Sequence, residues 1–223
     1  FQGDSFIFDY HLMNSGSFTG DPDAVFLARL LHEDIRGLRR LGLNGMVSCQ
    51  LQRIFFPTGL AMYVMGRALW DSLLDFEETM DDYLAAAFGP DWLSCKKYLL
   101  ALSVLQDAVP LREKGQPPDP QWADRLLQVQ ETIRDFLPVI ERSLALPNPC
   151  WARSWHYLNL HADLMLRYLP LLAARARGSQ EEAARLWGGL KQFIQQAEDD
   201  LQPVFDVYAY ISSSEPFFAG EKR

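Results

Sequence analysis

Residues 42–70, GLNGMVSCQLQRIFFPTGLAMYVMGRALW, contain the transition on which the fold prediction depends. Residues 46–51 form a short apolar run that alternates with polar side chains, which is typical of a buried strand near its end. Pro57 and Gly59 then indicate a turn, and from Leu60 onward apolar residues recur at helical spacing. The stretch therefore predicts a strand that ends in polar side chains and leads through a turn into a helix.

A second predicted strand lies in residues 5–13, SFIFDYHLM, which are too apolar and aromatic for a surface loop. Between the two strands, Asp21 as a cap and Pro22 as the first helical residue predict an amphipathic helix that ends at Gly42. The order strand, helix, strand predicts a parallel pair with a right-handed crossover. Because parallel sheets are normally covered on both faces, we expect these strands to belong to a larger sheet.

The rest of the chain carries repeated helix-start signals. Four capping residues are followed by Pro or, three positions later, by Glu: Asp75, Asp119, Asn148 and Ser179. Apolar residues recur every three or four positions after them, and the connectors between the last three of these helices are short. This pattern predicts an antiparallel helical bundle whose core contains Trp122, Trp155 and Trp187.

The predicted fold class is mainly α, with a partial β-α-β unit followed by an antiparallel helical bundle. The expected boundaries are a tag remnant at 1–3, the β-α-β segment at 4–56, the bundle at 57–218 and a tail at 219–223. Within the bundle, residues 114–120, KGQPPDP, predict a polar connector. Both an extended segment and a short helix fit residues 203–218.

Composition and charge exclude several classes of function. A chain of 223 residues with 48% hydrophobic residues can bury a good core. Its net charge of -8 argues against a nucleic-acid surface, which needs clustered Lys and Arg, and no apolar run is long enough for a membrane span. The widely spaced Cys49, Cys95 and Cys150 have apolar or aromatic neighbours, which predicts buried, reduced thiols and a cytoplasmic location.

Three segments together carry a family resemblance: FDYHLM at 8–13, the run at 42–71 quoted in part above, and FEETMDDYLAAAFGPDW at 76–92. They resemble the C-terminal half of an uncharacterised bacterial family that is grouped with the TIM-barrel glycoside hydrolases and is distantly similar to the α-glucuronidases. The resemblance implies that the strands are the last two of a (β/α)8 barrel and that the helices form the domain after it. A whole barrel needs roughly 250 residues, so about six βα units would lie outside this sequence.

Six polar residues are predicted to lie where the two strands end and to bind substrate: Asp9, Tyr10, His11, Gln50, Gln52 and Arg53. Ligands of α/β sheets collect at the carboxyl ends of the strands. Carboxylate and imidazole groups can exchange protons or position a catalytic acid. Amide and guanidinium groups can bind sugar hydroxyls or the carboxylate of a uronic acid.

Each of these interpretations has a structural alternative. Asp9 can cap a loop, and His11 can be a partly buried imidazole with its hydrogen bonds satisfied. For Arg53, pairing with a carboxylate of the barrel rim is slightly favoured over binding a ligand. These alternatives stay open from the sequence alone.

The candidate residues farther along the chain are better explained by structural roles than by catalysis or metal binding. Tyr63, Arg67 and Trp70 lie near one face of a predicted helix and are best explained by core packing. His156 and His161 are five positions apart, so they do not share a helix face. No Asp, Glu or Cys completes a metal set with them, and no phosphate- or dinucleotide-binding motif occurs, so we expect neither a metal nor another cofactor.

Two hypotheses of different classes follow. In the first, the chain is the C-terminal part of a glycoside hydrolase acting on carbohydrate and is inactive alone, because the sequence shows no pair of carboxylates suited to flank one glycosidic bond. In the second, it is a non-catalytic helical interaction or dimerisation module. The unpaired strands at 6–10 and 46–51 also predict a homodimer through the strand region.

Overall fold

The computed structural model describes residues 3–14, 19–106 and 119–218. These residues form two strands, β1 (Phe6–Asp9) and β2 (Gly45–Ser48). The α-helices are α1 (His11–Asn14), α2 (Phe26–Leu38), α3 (Leu60–Trp70), α4 (Phe76–Phe88), α5 (Trp92–Ala101), α6 (Pro120–Ser143), α7 (Pro149–Ala176), α8 (Gln180–Gln196), α9 (Glu198–Leu201) and α10 (Val207–Phe218). The mainly α class is confirmed. Residues 1–2, residues 114–118 of the predicted connector and the tail at 219–223 lie outside the described residues.

The two strands pair in parallel, as predicted, with Phe6 opposite Gly45 and Asp9 opposite Ser48. The second strand lies at 45–48 and not at 46–51, because the ladder becomes irregular after Ser48. The Cys49 amide donates to the carbonyl of Asp9 at 2.8 Å, and the next contact runs from residue 51 to residue 12 at 3.2 Å. The chain therefore still follows the first strand and α1 beyond the end of the regular sheet.

The prediction that the strands are buried is wrong for one face of the sheet. Phe6, Phe8 and Val47 are 59%, 56% and 55% exposed. The other face is covered by α2 and α3, where Ile35 packs with Ala68 against the partly buried Met46. Only one helical layer covers the sheet among the described residues, so an apolar face remains in contact with water.

The helix between the strands begins four residues later than predicted. It begins at Phe26, and Asp23, not Asp21, accepts hydrogen bonds from the amides of Val25 and Phe26, each at 3.0 Å. A turn closed by the bond from the Ala24 amide to the Asp21 carbonyl precedes it. Ala24 has φ of 54°, a left-handed conformation that a helix start at Pro22 would not contain.

The later helices form the predicted bundle, in which α7 packs between α6 and α8. Side-chain caps are confirmed at three of the four predicted starts, with acceptors on Asp75, Asp119 and Asn148. Ser179 occupies the cap position of α8 without a side-chain hydrogen bond. Residues 203–218 combine both predicted forms, because Phe205 pairs with Ile54 in an antiparallel bridge and α10 follows it.

The bundle core is organised around Trp155, which is fully buried on α7. Its indole Nε1 donates to the carbonyl of Phe88 at 2.9 Å, and its ring meets the Phe88 ring edge-on at 5.2 Å between centroids. Trp187 is also buried, as predicted, whereas Trp122 is only partly buried. The tryptophan predictions are thus confirmed for two positions of three.

The three cysteines differ in environment. All three thiols are free, with Cys95 buried, Cys49 half-buried and Cys150 exposed. The prediction of burial is wrong for Cys150, because this residue lies in the first turn of α7 on its solvent side. Within the described residues, no helix is both long and apolar enough to cross a bilayer.

We expect Trp155→Ala to lower the free energy of unfolding by about 3 to 5 kcal/mol, because it leaves a cavity in the core and removes the donor to Phe88. Urea denaturation would measure this loss. Trp70→Ala is the matched control, since Trp70 is 92% exposed, and it should change stability by no more than about 0.5 kcal/mol. A loss below about 1 kcal/mol for Trp155→Ala would contradict the central position of this side chain.

Candidate functional site

The candidate site lies at the carboxyl ends of β1 and β2, where Asp9 and Ser48 are register partners. Asp9 is buried and accepts hydrogen bonds from the His11 amide at 3.2 Å, from the His11 imidazole Nδ1, and from the Ser48 hydroxyl at 3.0 Å. Burial raises the pKa of Asp9, but the bonds from His11 and Ser48 outweigh it and leave the pKa below the usual 3.8. Asp9 is therefore ionised at neutral pH.

His11 connects the end of the first strand to α2. Its Nδ1 faces Asp9, and its Nε2 lies 2.9 Å from Oδ2 of Asp34. The imidazole thus bridges two carboxylates, one buried and one half-exposed. Asp34 and Ser48 were missed as site residues, because no local sequence signal links positions that are 23 and 37 residues from His11.

The contacts of Asp9 and His11 match their structural alternatives, a loop cap and a partly buried imidazole with its hydrogen bonds satisfied. Asp9 caps the turn into α1 by accepting the His11 amide, and both imidazole nitrogens of His11 face carboxylates. These contacts leave little of Asp9 open to a ligand, since its side chain is only 4% exposed. Asp9 can therefore orient His11 but is too buried to contact a substrate itself.

Tyr10, Gln50 and Gln52 form the accessible part of the same edge. Tyr10 is half-exposed and packs edge-on against Phe8 at 4.9 Å between ring centroids. Gln50 and Gln52 are exposed, and no described residue is hydrogen-bonded to either side-chain amide. These three residues are consequently free to donate to and accept from a ligand.

Arg53 is held by the helical domain and not by the strand ends. Its Nη2 lies 3.4 Å from Oδ2 of Asp206, so it pairs with a protein carboxylate. The neighbouring Phe55 amide donates to the carbonyl of Val204 at 3.0 Å. Binding of a ligand carboxylate by Arg53 stays a prediction, and in that case the pair with Asp206 would have to open.

The core-packing interpretation of Tyr63, Arg67 and Trp70 is wrong for two of the three residues. Trp70 and Arg67 are exposed, and the Arg67 guanidinium donates to the Tyr63 hydroxyl at 2.6 Å. The reason is the orientation of α3, which buries the face formed by Leu60, Val64 and Ala68. Tyr63 alone packs against another ring, that of Tyr83 on α4.

A buried pair of carboxyl groups, Asp21 and Asp23, precedes α2 and was not predicted as a pair. Gln106 donates to Oδ1 of Asp21 at 3.4 Å and to Oδ1 of Asp23 at 3.3 Å. Burial raises the pKa of Asp21 well above its usual value, and the charge of Asp23 raises it further. Both groups are engaged by backbone amides and closed to solvent, so they stabilise the helix start and do not flank an open substrate site.

The two histidines of α7 lie in different surroundings. His156 Nε2 is 3.5 Å from Asp200, whereas His161 is fully buried and meets Phe56 edge-on. Burial lowers the pKa of His161 to about 3, so it is neutral at physiological pH. In the part of the chain that the structure describes, no group of three His, Cys, Asp or Glu side chains is arranged to hold a metal.

Comparison with known proteins adds no relative: no protein family, curated protein or solved structure matches the chain.

We expect Asp9→Asn to destabilise the protein by about 1 to 3 kcal/mol at pH 7, because it removes the charge from buried hydrogen bonds. Since the folded pKa of Asp9 is lowered, its stabilisation is present above the unfolded value of about 3.8 and is lost as pH falls through the folded pKa. Thermal unfolding across this range would show the two proteins converging in acid. Asp34→Asn is the control, because Asp34 is a half-exposed partner of His11. This variant should lose less stability than Asp9→Asn. Equal stability of wild type and Asp9→Asn at pH 7 would contradict this role.

Proposed function

We propose that this chain supplies the last two strands of a TIM-type barrel in a glycoside hydrolase, together with the helical domain that follows the barrel. The observation that carries the proposal is the polar cluster at the carboxyl ends of a parallel strand pair, where His11 is fixed by Asp9 and Tyr10 is accessible beside it. In barrel enzymes this edge is where substrates bind. The sequence resemblance to a family grouped with glycoside hydrolases supports the same assignment.

The open sheet supports a place in a larger barrel. Parallel strands are normally covered on both faces and paired along both edges. Here the sheet has two strands among the described residues, and the face that carries Phe6, Phe8 and Val47 is exposed. Additional strands and their helices, from a segment outside these residues, would cover both the edges and this face.

The accessible side chains have the chemistry that a neutral sugar requires. Gln50 and Gln52 provide amides that can donate to and accept from vicinal hydroxyls, and the ring of Tyr10 offers an apolar surface with a polar end. His11, oriented by Asp9, can donate or accept beside them once its contact with Asp34 opens. The two carboxylates that glycoside hydrolysis requires would come from the other strands of the barrel.

The helical domain would support this edge through the segment between β2 and α3. Ile54 forms a bridge with Phe205, and Arg53 pairs with Asp206, so two consecutive residues of the segment are fastened to the chain before α10. Phe56 packs in the bundle core. The strand ends are therefore attached to a rigid base, which limits their movement relative to a bound sugar.

We expect sugars to bind this chain weakly at the strand ends without being hydrolysed. A nuclear magnetic resonance titration of the labelled protein with glucose, xylose and glucuronate should shift the amides of residues 9–12 and 48–53. The double variant Gln50→Ala, Gln52→Ala should lose these shifts, and Gln128→Ala, an exposed glutamine on α6, should retain them.

Two results would contradict the proposal. The first is the absence of shifts at the strand ends for all three sugars. The second is turnover of aryl glycosides by the purified chain, because the proposal places the catalytic carboxylates outside it.

A second candidate function is association with another copy of the chain, and the exposed apolar face of the sheet favours it. Phe6, Phe8, Tyr10 and Val47 are each more than half exposed and lie on two adjacent strands or directly after one. Apolar side chains that are contiguous and exposed are typical of an interaction surface. A symmetric homodimer would cover this face and one strand edge of each copy.

Light scattering after gel filtration tests this candidate. We expect a dimer at micromolar concentration that Phe8→Lys converts to a monomer, because a charge would have to be buried at the interface. Leu93→Lys is the control, since Leu93 on α5 has similar exposure but lies away from the sheet. A wild-type monomer at every concentration, or a dimer that survives Phe8→Lys, would exclude this interface.

A further inference from the structure

A cavity of about 470 Å³ lies between the turn at residues 55–59, α3, α4 and α7. This volume is within the usual range of small-molecule sites, roughly 300 to 1,000 Å³. Five aromatic side chains line it: Phe55, Tyr63, Tyr83, Phe88 and Tyr157. None of the six predicted substrate-binding residues lines it, so it is separate from the strand ends.

The walls of the cavity are fixed by hydrogen bonds that join the surrounding elements. On one side, the indoles of Trp151 and Trp155 on α7 donate to the carbonyls of Ala86 and Phe88 on α4, both at 2.9 Å. On the other side, the Gly59 amide donates to the Tyr83 hydroxyl at 2.7 Å and ties the turn to α4. The cavity is thus formed before any ligand binds, which reduces the entropic cost of binding.

The aromatic rings suit a flat, apolar ligand. Tyr63 and Tyr83 lie 5.4 Å apart between ring centroids, and Phe88, which is almost fully buried, also contributes to the lining. Burial raises the pKa of Tyr83 to about 12, so its hydroxyl stays protonated at neutral pH. Because the Tyr63 and Tyr83 rings contact each other, a planar ligand would stack against this pair, at the centroid separation of about 4.5 to 7 Å that aromatic groups prefer.

Arg153 provides a cation at the cavity. Its guanidinium carbon lies 6.0 Å from the centre of the Tyr157 ring, and no described carboxylate lies within salt-bridge distance of it. Among the described residues, most other guanidinium groups that face rings contact an oxygen as well, as Arg29 does with Glu77 and Arg67 does with Tyr63. Carboxylates outnumber cationic side chains in this chain, whose net charge is -8, and yet no described carboxylate pairs with Arg153. Its guanidinium is therefore available to an anionic ligand.

We propose that this cavity binds a small aromatic carboxylate, with its ring against the Tyr63–Tyr83 pair and Tyr157 and its carboxylate on Arg153. This site does not depend on the proposed carbohydrate function, since it uses other residues and another ligand chemistry. It requires no metal and no rearrangement of the helices that form its walls.

Titration with a matched pair of ligands tests the site. Indole-3-acetate and its neutral analogue indole-3-acetamide have the same ring and differ in the charge of one group. In amide chemical-shift titrations of the full chain, both should perturb residues around the cavity, and the acid should bind about tenfold more tightly, the value of one hydrogen bond to a charged group. Arg153→Gln should reduce the affinity for the acid to that for the amide, and Tyr157→Ala should weaken both.

The control variant is Arg125→Gln, because Arg125 also lies over an aromatic ring, that of Trp122, but away from the cavity. It should leave both affinities unchanged. Equal binding of the acid and the amide by the wild-type protein would overturn the role of Arg153. Absence of binding, or perturbations confined to residues 9–12 and 48–53, would overturn the site itself.

Discussion

The structure depends most on the contact between α7 and the end of α4. Two indole groups, of Trp151 and Trp155, donate to carbonyls in the last turn of α4, where helical carbonyls have no partner within the helix. The approach is close enough to exclude a side chain at Gly89, since a Cβ there would lie 2.5 Å from the Trp151 ring. Gly89 also has φ of 65°, which favours glycine for a second reason. This contact fixes α4, and α4 in turn fixes the turn at residues 55–59 through Tyr83.

The strand pair is attached to this core indirectly. On one face of the sheet, α2 and α3 form the only helical layer among the described residues. After β2, Arg53 and Ile54 contact the segment before α10, and Phe56 packs in the bundle core. The sheet is therefore well anchored on one side and open on the other. This asymmetry explains why polar groups at the strand ends are ordered by protein contacts while apolar side chains on the open face remain exposed.

The sequence predicted the features that depend on local chemistry. Caps at Asp75, Asp119 and Asn148 and the burial of Trp155 follow from residues within one or two helical turns. The exposure of Phe8 could not be predicted, because an apolar strand looks the same whether or not another layer covers it. For the candidate site, the proximity of residues 9 to 11 was local, but the partners Ser48, Asp34 and Asp206 come from distant positions. Their identity depends on tertiary packing, which no spacing in the sequence encodes.

Two carboxyl groups near the start of the connection between β1 and β2, those of Asp9 and Asp21, respond to their surroundings in opposite ways. Asp9 receives donors from His11 and Ser48, which favour the ionised form and lower its pKa despite burial. Asp21 is buried beside Asp23, and both conditions favour the protonated form and raise its pKa. Asp9 therefore stabilises the fold above its unfolded pKa and less in acid, whereas Asp21 stabilises it in acid and less as pH rises above its unfolded pKa. As pH rises, the stability that these two groups contribute therefore first increases as Asp9 ionises and then decreases as Asp21 ionises.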